Sequence, residues 1–121
     1  MNQMTQTVYA CDMGALEPNE RPIHVALIKK LFGNVQTIRE LENGYAFGLI
    51  DDTQTMNETV EFISKERLCC PFFGFAIVLE PNGTGLWLHI TGQEGIKPFI
   101  HVEFGQSLRK DLALKSGFMQ K

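Results

Sequence analysis

Two adjacent thiols, Cys69 and Cys70, sit in the run Lys65-Glu66-Arg67-Leu68-Cys69-Cys70-Pro71-Phe72-Phe73 and are the most distinctive chemistry in the chain. Neighbouring cysteines make a poor disulfide with each other, because the small ring strains the intervening peptide. Paired thiolates suit soft, thiophilic ions instead: zinc, Cu(I), or a heavier metal or metalloid. Two ligands are too few, and the remaining donors of that kind are Cys11, His24, His89 and His101. None of them stands at a CxxC or HxxxH spacing, so no standard metal motif is present.

Three readings of these thiols stay open. One is a soft-metal or metalloid site built from Cys11, Cys69 and Cys70. The second is a thiol-redox enzyme in which Cys69 or Cys70 attacks and Cys11 resolves. The third is a non-catalytic, dimerising module with structural cysteines, Cys70 being a small core residue on the stripe of Ile63. The pair closes a predicted helix, and the negative end of a helix dipole disfavours a thiolate. Glu66 and Arg67 read as a solvated helix end, with a functional carboxylate as the alternative. His24, between Ile23 and Val25, reads as a helix-surface histidine, with ligand or base as the alternative.

The elements that must hold these residues follow from periodicity and punctuation. Pro18 to Pro22 opens a helix with Asn19 as its N-cap. Ile23, Leu27, Ile28 and Leu31 form its apolar face, and Gly33-Asn34 ends it. Residues 35–41 and 45–50 form a hairpin joined at Glu42-Asn43-Gly44, where Asn-Gly predicts a type I′ turn. Thr55 and Glu58 match a capping box, and a helix runs on to about Leu68 with Met56, Val60, Ile63 and Cys70 near one stripe. Pro71 stops it.

Residues 72–79 and 86–90 form a second hairpin, with Leu86, Leu88 and Ile90 on one face and Trp87 and His89 on the other. Ile96, Phe99, Ile100, Phe104 and Leu108 mark a last helix, and His101 finds no partner in the pattern. The expectation is one α+β domain over residues 1–121, with residues 1–15 an extended N-terminal segment. It has a four-stranded, mostly antiparallel sheet from two hairpins with helices packed on it, in the order α-ββ-α-ββ-α. A homodimer is expected through the sheet face of Trp87 and His89.

With 121 residues, 44% of them hydrophobic and 21% charged, the chain has the composition of a folded domain. A net charge of −3 without a basic run argues against nucleic acid or an anionic membrane as partner. No apolar run reaches the ~20 residues of a membrane span. Residues 1–7 lack the basic and apolar parts of a secretory leader, so cytoplasmic location and reduced thiols are expected.

The chain resembles a family of small bacterial proteins marked by a Glu-Arg-x-Cys-Cys-Pro-Phe core, here Glu66-Arg67-Leu68-Cys69-Cys70-Pro71-Phe72. The likeness extends to Cys11, Ala15-Leu16, Arg21 with His24, and to Leu86, Leu88, Thr91-Gly92, Gly95, Lys97 and Phe99. Lys97-Pro98 departs slightly from that pattern. The resemblance implies a metal-resistance or metal-responsive setting, with Cys11, Cys69 and Cys70 as a cluster and His24 nearby.

Overall fold

The computed structural model describes residues 9–118. Residues 1–7, read above as lacking a leader, and the first half of the expected extended segment lie outside the described residues. Eight regular elements follow in order: α1 (Arg21–Gly33), β1 (Thr37–Leu41), β2 (Gly44–Leu49), α2 (Thr53–Cys69), β3 (Gly74–Glu80), β4 (Gly85–Thr91), α3 (Ile96–Phe104) and α4 (Lys110–Lys115). The expected α+β fold is present, extended by the short α4. Every strand pairing is antiparallel, and the strands lie in the order β1-β2-β4-β3, so β2 and β4 join the two hairpins at the centre.

One sheet face carries Phe47 and Leu49 of β2 with Leu86, Leu88 and Ile90 of β4, all buried. They share one hydrophobic cluster with Leu31 and Phe32 of α1, Phe62 of α2, Ile96, Ile100 and Phe104 of α3, and Leu112 of α4. Phe32 is its hub, stacked on Phe104 at 4.4 Å between ring centres and meeting Phe47 and Phe62 edge-on. The opposite face, where a homodimer is expected, stays outside this cluster. There Gly48 leaves room for the Trp87 ring, and the Arg39 guanidinium lies 3.9 Å above that ring.

Several boundaries differ from expectation for local reasons. Asp52, not Thr55, caps α2: its backbone is extended and its carboxylate accepts from the Thr55 N–H at 2.7 Å. Glu58 is then free to pair with Lys30. Helix α1 begins after Glu20 without a side-chain cap, so Asn19 does not serve as one. The first hairpin turns through Glu42-Asn43, with Leu41 opposite Gly44, and neither Asn43 nor Gly44 has positive φ. The type I′ turn is therefore absent. Gly44 is needed because a Cβ there would overlap the Ile90 carbonyl oxygen. Positive φ appears instead at Asn82 and Gly83, between β3 and β4.

The buried stripes of the two long helices are also rotated from the expected ones. In α1 the buried residues are His24, Leu31 and Phe32, while Ile23 is 56% exposed. In α2 they are Thr59, Phe62, Glu66 and Cys69, while Val60 is 51% exposed. This rotation turns a histidine and a glutamate inward.

Candidate thiol site

The site forms where the N-terminal segment crosses the end of α2. A helix leaves its last carbonyls without partners. The Asp12 N–H takes one of them, donating to the Cys69 carbonyl at 2.8 Å. That bond sets Cys11 beside Cys70, with their Cα atoms 4.6 Å apart. The Arg21 Nε–H donates to the Met13 and Leu16 carbonyls and ties the same segment to the start of α1. Tyr9 anchors its other end by donating to the Glu94 carbonyl and packing on Phe72 and Phe99.

Cys11 and Cys70 are joined by a disulfide across 59 residues of sequence. Free thiols are the sequence expectation, but spacing in sequence carries no information on a pairing made by a crossing segment. Cys70 is fully buried and Cys11 half-buried. Cys69 is the free cysteine, and its sulfur lies 3.9 Å from the Met13 sulfur. Burial pushes the Cys69 thiol up, helped by the negative charges of Glu66, Asp12 and Glu103. Cys69 is therefore a poor nucleophile at neutral pH.

Behind the disulfide lies a buried carboxylate–imidazole pair. Glu66 Oε1 is 2.7 Å from His24 Nε2, and Glu66 Oε2 is 3.3 Å from Cys70 Sγ. His24 is 0% exposed and Glu66 1%, which corrects both the surface reading of His24 and the solvated reading of Glu66. Each occupies a core position of its helix, and neither could be buried alone without the other. The ring of His24 stacks on Phe62, and its buried Nδ1 has no hydrogen-bond partner among the described residues.

Glu103, from α3, completes the group. Burial raises its carboxyl above the usual range, the nearby Glu66 adds to this, and His24 offsets part of it. Donor atoms of Cys11, Cys70, Glu66 and Glu103 all lie within 4.8 Å of one another. The structure thus brings Cys11, Cys70 and the expected neighbour His24 to one place, His24 through Glu66. The Cys69 sulfur is not among the four converging donors. Glu103 carries no signal in the sequence, and Glu66 enters there only as the less favoured functional carboxylate. For Glu66 a stronger signal was present, since it stands on the 59-62-66-69 stripe with Phe62 and Cys69.

The other histidines lie elsewhere. His101 is 2.8 Å from the Tyr45 hydroxyl and stacks on Phe118 at 4.1 Å. His89 is on the open sheet face, opposite Ala46 and Ala76. Among the described residues no helix is long and apolar enough to cross a membrane. Comparison of the chain with protein-family models, with curated proteins and with solved structures gives no match.

Proposed function

We propose that the protein works by thiol–disulfide chemistry at Cys11 and Cys70. The observation that carries this reading is the contact of Cys70 Sγ with the buried Glu66 carboxylate, itself held by His24. A disulfide that serves only as a staple has no need of a buried ionisable pair against one sulfur, and such a pair is costly to bury. On this reading the protein works in the cytoplasm, where a disulfide is transient and catalytic rather than permanent. The test is equilibration of the protein in glutathione buffers of graded ratio, with the free thiols counted by mass spectrometry. The expected result is reversible gain and loss of one disulfide between the glutathione and thioredoxin potentials. A disulfide that never opens in those buffers, or never re-forms after reduction, overturns the reading.

A second reading is favoured by the convergence of four donors within 4.8 Å. Once reduced, Cys11 and Cys70 offer two sulfurs to a soft ion such as zinc or a trivalent metalloid, with carboxylates alongside. Native mass spectrometry of the reduced protein with zinc or arsenite distinguishes the two. Loss of the bound ion in Cys70→Ser but not in Cys69→Ser supports this site over the three-cysteine cluster. Absence of any adduct removes it.

A further inference from the structure

The two sulfurs of the bridge differ in access and surroundings, and this difference gives the exchange a direction. We propose that Cys11 is the sulfur attacked by an incoming thiol and that Cys70 is the leaving and resolving sulfur, an inference that rests on the thiol–disulfide reading above. Cys11 is half-buried, on a segment that lies over the body of the fold. Cys70 is 0% exposed at the end of α2, with Phe73 folded just beyond it and its own N–H bonded to the Glu66 carbonyl at 2.8 Å. Thiol–disulfide exchange needs an approach to the attacked sulfur from outside, so access decides which of the two is hit.

A thiol R–SH forms a bond from its sulfur to Cys11 Sγ, the Cys11–Cys70 bond breaks, and its electron pair stays on Cys70 Sγ. The proton from R–SH ends on that sulfur, giving R–S–S–Cys11 and a Cys70 thiol. The new S–H then donates to Glu66 Oε2, which stands 3.3 Å away. A second R–SH displaces Cys11 as its thiol and leaves as R–S–S–R. Glu66 is in this account a positioning residue that favours the thiol form of Cys70. The partner class is a thiol small or extended enough to reach the N-terminal segment: a low-molecular-weight thiol or a peptide cysteine.

The experiment uses the whole chain. Oxidised wild-type protein is mixed with glutathione, quenched with acid at early times, and the mixed disulfide is located by peptide mapping. The expected adduct is on Cys11, in at least tenfold excess over Cys70 and Cys69. Cys70→Ser accumulates the Cys11 adduct with glutathione disulfide, whereas Cys11→Ser gives none on Cys70 under the same conditions. A parallel arm with a single-cysteine peptide separates the two partner classes by rate. Glu66→Gln shifts the dithiol–disulfide equilibrium toward the disulfide while leaving the adduct on Cys11. An adduct mainly on Cys70 or Cys69 overturns the assignment even where exchange itself proceeds, and an unchanged equilibrium in Glu66→Gln removes the role given to that residue. Failure of the wild-type bridge to exchange at all instead overturns the function. The wild-type arm needs no substitution, so it decides which sulfur is attacked even where a variant does not fold.

Discussion

At the scale of single residues, His24 and Glu66 share one risk. Each is buried and each relies on the other across 2.7 Å. Removing one partner leaves the other buried without it, which costs about 3–5 kcal/mol in such pairs. His24→Ala is therefore expected to lower urea-unfolding stability by that order, while replacing both residues with apolar ones of similar volume costs far less. Glu103 works in the opposite sense. Its folded-state pKa is raised, so ionisation opposes folding as the pH rises through its unfolded-state value. Glu103→Gln is expected to raise the melting temperature at pH 7 and to leave it nearly unchanged at pH 4, as calorimetry would read. His101 has a folded-state pKa lowered by burial, partly offset by Glu40. A lowered histidine pKa contributes stability above its unfolded value, and that contribution is lost as pH falls through the folded one. His101→Gln should flatten the stability profile below about pH 6.5.

At the scale of elements, helix α2 is set by its two ends. Asp52→Ala removes the cap at the first turn and should lower the denaturant midpoint clearly. Glu58→Gln weakens the partly exposed contacts with Lys30 and Gln54 and should cost less than about 1 kcal/mol. Denaturant midpoints of the two variants separate the observed cap from the capping box that Thr55 and Glu58 suggest. The element order, both hairpins and the inward Leu86-Leu88-Ile90 face were legible because strand alternation and turn residues are local signals. The phases of α1 and α2 were not. Ile23 and Val60 attract an apolar stripe to themselves, yet both are exposed, and the true stripes contain a histidine and a glutamate. A periodicity that counts only apolar residues passes over a buried, hydrogen-bonded histidine and glutamate. The Asn43-Gly44 signal marked the hairpin but not its turn type, for a related reason: its glycine answers to β4 across the sheet, a contact that is not local. Cys11 could be suspected as a partner, but which sulfur it meets depends on the Asp12 bond to the Cys69 carbonyl, made by tertiary packing.

For the whole molecule, one cluster of side chains serves all the helices and one face of the sheet. Phe32→Ala, at the meeting point of Phe47, Phe62 and Phe104, should cost about 3–5 kcal/mol and broaden the unfolding transition. The Cys11–Cys70 bridge adds a second, covalent constraint. In the chain-entropy account a closed loop of 59 residues stabilises by roughly 4 kcal/mol, so reduction should lower the unfolding free energy by up to that amount. That ring encloses α1, β1, β2 and α2, and it leaves β3, β4, α3 and α4 outside. Yet β2 inside the ring is hydrogen-bonded to β4 outside it. Pulled from its two ends, the oxidised chain would therefore transmit load past its first half, through the bridge, and unzip only the second. The enclosed half is mechanically silent until a reductant arrives. In a single-molecule stretching trace, that moment would register as a sudden release of hidden length, about 200 Å for the 59 residues.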